Sequence, residues 1–296
     1  MKNKLLSCIT FFLASSIITA KAADWYAPQD PFPIYGNTYY VGTGGISAVL
    51  ITSSVGHILI DVGAPEAEDQ IAAHIRKLGF RVEDIRYILN THPHQDHAGA
   101  IAALQKLSGA TVLGSPASVR VLESGQPDQA DPQYPNLTPM PPVEHIHAVR
   151  DGETIYLGLL AVTAHFTPGH TKGGTSWTWQ AKEGDRAVNV VFADSLIALA
   201  AEGRRFSGNP LYPQAQAQAD VERSIATIEA LPCDVLVSAH PEAGGLWERK
   251  AKQATLGDVA FIDTGACHIY AEKARSVLAQ TLAAEAAQDK RSVNQN

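Results

Sequence analysis

Three histidines and one carboxylate lie within six consecutive positions of this chain, at His92, His94, Asp96 and His97. Imidazole nitrogens and carboxylate oxygens at this density are typical ligands of a divalent metal such as zinc. A single histidine is more often a structural residue than a ligand, but four potential ligands at this spacing are hard to explain in that way. The segment therefore predicts a metal site, and the fold must bring these side chains together.

The residues before this motif predict a strand that leads into it. Residues 85–89, IRYIL, form a short apolar run of β-favouring residues, which is typical of a buried strand. Pro93 restricts His92 to an extended backbone, and alternate residues of an extended segment point the same way. His92 and His94 can therefore bind the same metal ion.

The residues after the motif predict a helix over 98–107, where apolar residues recur at helical spacing. Asp96 and His97 then lie at the start of this helix and can point at a second metal ion. The motif begins two neighbouring sites but completes neither, so the missing ligands must come from distant segments.

Two histidines that follow predicted strands are the candidates for those missing ligands. His170 lies in the turn TPGHT, after a β-like segment over 157–166, and is expected to complete the first site. His240 follows the predicted strand 233–237 and is expected to complete the second site. Ligands at the ends of strands can meet at one edge of a sheet.

Other polar residues have weaker patterns. Asp61 lies at the end of an apolar strand, where a partner for a ligand histidine and a turn cap are equally good interpretations. His165 is near His170, but its position within a strand makes it a weaker candidate. His145 and His147 repeat the spacing of the motif without a following carboxylate and predict an exposed strand face.

Two segments lack the pattern of a helix or a strand. Residues 125–142 are rich in proline and polar residues, and a loop this long inside a compact domain is usually functional or disordered. We expect a lid or a substrate wall with Gln133 and Tyr134 as contacts, and a plain surface excursion is the alternative. Residues 24–33 predict an irregular, mobile N-terminal arm.

Residues 1–22 predict a secretory signal peptide. Lys2 and Lys4 give a positive start, residues 5–20 are mainly apolar, and residues 20–22 fit a small-x-small cleavage site. We therefore expect periplasmic export, followed by a single domain over residues 23–296 without a membrane segment.

Charge and cysteine content limit the partners of the exported chain. The formal net charge at pH 7 is −7, and it becomes −10 without the three lysines of residues 1–22. An acidic surface argues against nucleic acid as the main partner. Cys233 and Cys267 predict a disulfide in an oxidising compartment, with two free structural thiols as the alternative. The sequence does not give the oligomeric state, and a monomer is assumed.

The order of the predicted elements indicates an α/β protein with two similar halves. Strands and helices alternate first, a β-rich stretch follows, and a strand and helices close the chain. This order predicts an αββα sandwich, in which two mixed sheets pack face to face and the helices lie outside. The candidate ligands all follow strands, at the edge that the two halves would share.

The six candidate ligands resemble those of the metallo-β-lactamase superfamily, and further motifs look like its class B, subclass 3 β-lactamases. These motifs are Gly36-Asn37-Thr38, Tyr40-Val41-Gly42, Thr167-Pro168-Gly169-His170-Thr171, Asp194-Ser195-Leu196 and Ala239-His240-Pro241. The resemblance extends over roughly residues 32–275 and includes the two cysteines. The short histidine motif alone identifies only the superfamily, which also contains lactonases, thioesterases and nucleases.

The resemblance implies two zinc ions, each held by three side chains. The first set is His92, His94 and His170, and the second set is Asp96, His97 and His240. The subclass has no cysteine ligand, in agreement with Ser195 after Asp194.

The implied reaction is hydrolysis of the lactam amide bond of penicillins, cephalosporins and carbapenems, which confers antibiotic resistance. Zinc lowers the pKa of water so that hydroxide exists at neutral pH, and Asp96 orients this nucleophile. Ser195 faces the carboxylate of the substrate. Several members of the subclass carry a second hydroxyl residue where this chain has Ile197, which cannot hydrogen-bond a carboxylate, so we expect the anchoring of the substrate to differ.

Two other functions are consistent with the same residues. A lactone or thioester hydrolase of the superfamily would use Asp194 to bridge the two metals, whereas a β-lactamase uses it as a structural residue. A zinc-binding protein without catalytic activity is the third hypothesis.

Overall fold

The structure, a computed structural model, describes residues 25–293. The predicted signal peptide over residues 1–22 lies outside the described residues. Among the residues from 25 to 293, no helix is both long enough and apolar enough to cross a membrane.

Seven strands form the first sheet, in which spatial order follows chain order. They are β1 (Phe32–Tyr35), β2 (Thr38–Tyr40), β3 (Val49–Ser53), β4 (Gly56–Ile60), β5 (Ile85–Leu89), β6 (Thr111–Gly114) and β7 (Ile146–Ala148). Pairing is antiparallel from β1 to β4 and parallel from β4 to β7. Every residue of β4 is buried, because this strand lies at the centre of the sheet and is covered on both faces.

Five strands form the second sheet. They are β8 (Thr154–Leu157), β9 (Leu160–Phe166), β10 (Thr175–Glu183), β11 (Arg186–Ala193) and β12 (Val235–Ser238), in the spatial order β12-β11-β10-β9-β8. Only the pair of β11 and β12 is parallel. The stretch 157–166, expected as one β-like segment, begins at the end of β8 and turns into β9 at Gly158, whose φ is 60°.

Eight α-helices lie in the described part of the chain. They are α1 (Glu68–Lys77), α2 (Gln95–Ala98), α3 (Ile101–Ser108), α4 (Pro116–Ser124), α5 (Gln214–Ala230), α6 (Leu246–Lys250), α7 (Gln253–Leu256) and α8 (Ala266–Val293). The helix predicted over 98–107 is confirmed from Ile101 as α3, but its predicted start is wrong, because the chain leaves the helical conformation at Ala100, whose ψ is 3°. Gly99 lies so close to Pro65 that a β-carbon would be 2.3 Å from Pro65 Cδ. The metal-binding motif therefore has a short helix of its own, α2.

Three hydrophobic layers hold the two sheets and the helices together. Between the sheets, Ile60 of β4 and Trp177 of β10 belong to one buried cluster. On the outer face of the first sheet, Ile88 packs in a cluster with Ile101 of α3. On the outer face of the second sheet, Leu236 lies in a cluster with residues of α5 and α8. The predicted αββα sandwich with two mixed sheets is confirmed.

Cys233 and Cys267 form the predicted disulfide. The bond joins the residues before β12 to the first turn of α8, which covers the second sheet. Because β12 leads directly to His240, the disulfide supports the part of the fold that carries this histidine.

Replacing both cysteines, Cys233→Ala with Cys267→Ala, is expected to lower the free energy of unfolding by about 3–4 kcal/mol. The reason is the chain entropy that the unfolded state regains when a loop of this sequence separation, 34 residues, is no longer closed. Denaturant unfolding of the metal-free proteins measures the difference. A reductant should destabilise the wild type to the same extent and leave the double variant unchanged, and a wild type insensitive to reductant would contradict the account.

Candidate metal centre

The six candidate ligands meet at one edge of the sandwich, where strands of both sheets end. His92 and His94 lie in the extended segment after β5, and Asp96 and His97 lie in α2. His170 follows β9 and His240 follows β12. The fold brings His97 and His240, which are 143 positions apart, to a distance of 3.3 Å between their Nε2 atoms.

His92, His94 and His170 form a compact buried group. Each offers one ligand atom, and these atoms all lie within 4.8 Å of one another. The ring centroids are 4.7, 4.9 and 5.0 Å apart. The structure thus brings together the three side chains predicted for the first metal.

Asp96, His97 and His240 converge beside that group. Asp96 Oδ2 lies 3.1 Å from His97 Nε2 and 3.6 Å from His240 Nε2. His92 also offers a ligand atom within 4.8 Å of those of Asp96 and His97. The two predicted sets are therefore neighbours, close enough for one imidazole to border both.

Each of the five histidines turns one ring nitrogen away from the centre, toward a carboxylate or a backbone carbonyl. The pairs are His92 Nδ1 with Asp194 Oδ1 at 2.7 Å, His94 Nε2 with Asp131 Oδ2 at 2.9 Å, His97 Nδ1 with Asp61 Oδ2 at 3.3 Å, His170 Nδ1 with Ile197 O at 3.0 Å and His240 Nδ1 with Gly45 O at 3.2 Å. Metal-binding histidines are held in this way, because the outer partner sets the tautomer and the orientation of the ring.

The nitrogen atoms on the inner side fit a metal ion. His92 Nε2 is buried and has no hydrogen-bond partner among the described residues. A buried nitrogen without a partner costs about 1–3 kcal/mol, and a bound cation would remove that cost. The side chains present are therefore suited to hold a metal, with imidazole and carboxylate groups of the kind that zinc prefers.

Burial keeps most of the imidazoles neutral. It lowers the pKa of His92 well below its ordinary value, and the neighbouring histidines add to this effect. Burial also lowers the pKa of His170 to about 3 and that of His240 to about 4. Neutral imidazole is the form that binds a metal, so these rings need not lose a proton at neutral pH.

Asp96 and His97 form an ion pair within the centre. Burial disfavours the charge on His97, but Asp96 and Asp61 outweigh burial and raise the pKa of His97 to about 10. Burial raises the pKa of Asp96, but the positive charge of His97 is stronger, and the net effect is a lowered pKa. Asp96 is therefore a carboxylate at neutral pH.

Asp61 fits both of its interpretations, as a histidine partner and as a cap. Its side chain accepts hydrogen bonds from Thr91 N at 2.8 Å and Thr91 Oγ1 at 2.6 Å, and Oδ2 lies 3.3 Å from His97 Nδ1. Its backbone is left-handed, with φ of 53°. One buried carboxylate thus holds both the start of the motif and one of its histidines.

Asp61→Ala is expected to lower the free energy of unfolding by about 2–4 kcal/mol, because two buried donors of Thr91 lose their acceptor. Alanine is also strained in a left-handed backbone, whereas asparagine tolerates it. Asp61→Asn keeps an acceptor oxygen and should cost less. Urea unfolding of the metal-free variants measures both losses, and equal losses for the two variants would contradict this role.

Asp194 lies behind His92 and outside both groups of converging ligand atoms. Its side chain is 0% exposed, and burial raises the pKa of its carboxyl group well above the ordinary value. Its backbone is held by Ser176 Oγ, which accepts from Asp194 N, and by Tyr270, whose hydroxyl donates to Asp194 O. Asp194 therefore supports a ligand histidine, as expected for a structural residue.

Two of the four predicted substrate contacts, Ile197 and Gln133, lie beside His170, and the other two, Ser195 and Tyr134, have other surroundings. Ser195 is buried and lies two residues after the end of β11. Ile197 contributes its backbone carbonyl, which accepts from His170 Nδ1. Gln133 Nε2 lies 3.5 Å from His170 Nε2, whereas Tyr134 lines a neighbouring cleft of about 360 Å³. Contacts of these four side chains with a substrate stay predictions.

The N-terminal arm contacts the centre through Trp25, and the expected irregular conformation of residues 24–33 is wrong at Phe32 and Pro33, which lie in β1. The mobility of the arm stays a prediction. The Trp25 ring lies 5.0 Å from the His240 ring, and Thr43 Oγ1 donates to Trp25 O at 2.5 Å. Gly45 permits this approach, because a β-carbon there would lie 2.5 Å from Trp25 Cα. The proline-rich sequence of the arm carries no signal for this contact.

The remaining histidines lie elsewhere. His165 is within 2.8 Å of Thr178 Oγ1 in a groove of about 970 Å³ on the outer face of the second sheet. His145 and His147 are exposed beside and within the edge strand β7, as predicted.

The sequence matches a known family over residues 41–240, and that family is described as the metallo-beta-lactamase superfamily. The curated relatives include hydroxyacylglutathione hydrolases from Pseudomonas paraeruginosa, 33% identical over 181 residues, and from Fuscovulum blasticum, 29% identical over 185 residues. These matches cover 60% and 62% of this chain but only 54% and 58% of the relatives. The chain therefore spans little more than half the length of these curated relatives.

Solved structures match over a larger part of the chain. MEM-A1, a subclass B3 metallo-beta-lactamase isolated from a soil metagenome library, is 59% identical with a TM-score of 0.87, covering 90% of this chain and 100% of that one. Rm3 metallo-beta-lactamase is 50% identical, with a TM-score of 0.86 and coverage of 88% and 96%. SMB-1, bound to 2-mercaptoethanesulfonate, is 48% identical, with a TM-score of 0.85 and coverage of 88% and 99%.

These similarities agree with the geometry of the centre. The family match contains all six candidate ligands, from His92 to His240. The structural match to MEM-A1 covers 90% of this chain with a TM-score of 0.87, so most of the αββα sandwich is shared. The chain belongs to the metallo-β-lactamase superfamily.

Proposed function

We propose that this protein hydrolyses the amide bond of β-lactam antibiotics, including penicillins, cephalosporins and carbapenems, with two zinc ions as cofactors. The observation that carries this proposal is the similarity to a subclass B3 metallo-beta-lactamase, 59% identical over the whole length of that chain. The position of Asp194 behind His92 supports the same choice, since a thioesterase-like relative would use this carboxylate to bridge the metals.

The two zinc ions would be held by the two converging sets of side chains. His92, His94 and His170 would hold the first, and Asp96, His97 and His240 would hold the second. The two cysteines of the described region are joined in a disulfide, so neither is offered as a ligand. When bound, zinc supplies a Lewis acid and lowers the pKa of water, so that hydroxide is available at neutral pH.

Asp96 is suited to orient the attacking water. Its carboxylate is ionised at neutral pH, and its side chain is 17% exposed, so one side can accept a hydrogen bond from a water molecule. The water oxygen adds to the lactam carbonyl carbon, the C–N bond breaks, and the nitrogen receives a proton. Asp96 can carry that proton, because a positioned carboxylate can accept it from water and donate it to the departing nitrogen.

Substrate binding would involve the residues beside the histidines. We infer that Ser195 contacts the carboxylate of the lactam and that Gln133 lies along its side near His170. Ile197 offers an apolar side chain where a hydroxyl would add a hydrogen bond, so the carboxylate would depend more on Ser195.

We also propose that the protein acts in the periplasm and contributes to antibiotic resistance. The charged start, apolar run and small-x-small site of residues 1–22 support export. β-Lactams act outside the cytoplasm, so an exported hydrolase would meet them there. A monomer built from one domain over residues 23–296 is the arrangement that we expect.

The test compares two substrate classes on the same zinc-loaded protein. Ring-opening absorbance is followed for a penicillin, a cephalosporin and a carbapenem, and thioester cleavage is followed for a hydroxyacylglutathione. We expect turnover of the lactams and little cleavage of the thioester. Efficient thioester cleavage without ring opening would favour the thioesterase alternative, and no turnover of either class would favour a non-catalytic zinc protein.

A further inference from the structure

Asp131 links the long loop over residues 125–142 to the metal centre. Its Oδ2 lies 2.9 Å from His94 Nε2, across 37 positions of sequence. The residue is only 5% exposed, so this contact is shielded from competing water. Because the Nε2 atom of His94 is paired with Asp131, Nδ1 is the ring nitrogen that remains free to bind a metal together with His92 and His170.

The second oxygen of the same carboxylate holds the loop itself. Asp131 Oδ1 accepts from Gln133 N at 2.8 Å. The Gln133 side chain then reaches His170, with 3.5 Å between the two Nε2 atoms. One carboxylate therefore connects His94 to the turn of the loop that lies against His170.

The rest of the loop is anchored on both sides of this contact. Thr138 Oγ1 donates to Gln95 Oε1, directly beside the second group of candidate ligands. Asn209 Nδ2 donates to Gln129 O at 2.9 Å, and Ala201 N donates to Pro132 O at 3.1 Å. A buried carboxylate in a loop fastened in this way has little freedom to turn away from His94.

We propose that Asp131 is a positioning residue that couples the conformation of loop 125–142 to metal binding at His92, His94 and His170. The carboxylate sets the tautomer of His94 and aims its free nitrogen at the metal, as outer partners of metal-binding histidines do. The coupling is reciprocal, because a loop that favours the bound ligand geometry must itself be favoured by the metal. The inference rests on the zinc binding of the proposed function but not on β-lactam hydrolysis.

The experiment uses the protein without residues 1–22 and its variants Asp131→Ala and Asp131→Asn. Asp128→Ala is the matched control, because Asp128 lies in the same loop and its Oδ1 accepts the local Ala130 N–H at 2.9 Å. Competition with a chromophoric chelator measures the affinity for each zinc ion. Backbone hydrogen exchange over residues 125–142, with and without zinc, measures the order of the loop.

We expect Asp131→Ala to lower the affinity for the zinc ion at His92, His94 and His170 by about 10–100-fold. The affinity for the other zinc ion should change little. Zinc should protect the loop from exchange in the wild type and in Asp128→Ala, but not in Asp131→Ala. Asp131→Asn keeps the size and one acceptor oxygen, so it should fold like the wild type and lose less affinity than the alanine variant.

Wild-type zinc affinity in both Asp131 variants, or an equal loss in Asp128→Ala, would overturn the proposal. Loop protection that does not respond to zinc in the wild type would also overturn it. Failure of the proposed function is a separate result, because it would appear as tight zinc binding without ring opening of any lactam.

Discussion

His170→Ala is expected to lose the first zinc ion and keep the second, whereas His240→Ala should lose the second and keep the first. His170 belongs to the group with His92 and His94, and His240 converges with Asp96 and His97. Each substitution leaves one set with two of its three ligands and the other set complete. β-Lactam turnover should fall in both variants by more than about 100-fold, the upper limit for loss of an outer partner of a ligand.

Elemental analysis after dialysis at low zinc concentration counts the zinc ions that each variant keeps per chain, and a crystal structure of each variant shows which set of side chains holds them. His165→Ala is the matched control for His170→Ala, because His165 lies in β9, the strand that leads to His170, but contacts Thr178 instead of the other histidines. It should retain both zinc ions and full activity. If both ligand variants lost the same ion, or lost zinc equally from both sites, the division into two sets would be wrong.

Asp96→Asn is expected to lower kcat by about 100-fold to 10,000-fold, the usual contribution of a positioned acid or base. The amide keeps the size of the side chain but cannot take up a proton, and it loses the charge that pairs with His97. The second zinc should also bind more weakly, because a neutral amide oxygen replaces a carboxylate.

Steady-state kinetics at rising zinc concentration separates these two effects of Asp96→Asn. If Asp96 orients water and carries the proton, kcat stays low after both zinc sites are filled, while KM changes much less. Recovery of the wild-type kcat at saturating zinc would show that Asp96 acts only as a ligand.

The candidate ligands could be predicted because their signals are local. His92, His94, Asp96 and His97 lie within one motif, and His170 and His240 each follow a strand pattern. Apolar periodicity and the order of elements were sufficient to predict two sheets with helices outside, since each sheet must bury a face against another layer. The disulfide followed from the cysteine count and the export signal.

Three of the five partners of the histidines, Ile197, Gly45 and Asp131, could not be predicted, for two physical reasons. Ile197 and Gly45 act through backbone carbonyls, which every residue possesses, so residue type carries no signal for them. Asp131 reaches His94 only because the loop folds back over the motif, and a proline-rich segment has no period that would indicate this path. The break between α2 and α3 likewise depends on the contact of Gly99 with Pro65, which only the tertiary structure creates.

The role of Asp194 was open in the sequence for a related reason. A carboxylate at a strand end can bridge two metals or support a histidine, and the two uses differ by the direction of one side chain. The structure places its Oδ1 2.7 Å from His92 Nδ1, and neither of the two groups of converging ligand atoms includes Asp194. This contact agrees with the support of a histidine, which is the use that the β-lactamase hypothesis expects.

Titration of zinc into the metal-free protein, with carbapenem ring opening followed by absorbance, tests the two-zinc β-lactamase most directly. We expect no ring opening without zinc, a rise in activity as zinc is added, and saturation once two ions are bound per chain. A protein that binds two zinc ions and opens no lactam ring at any zinc concentration would contradict it.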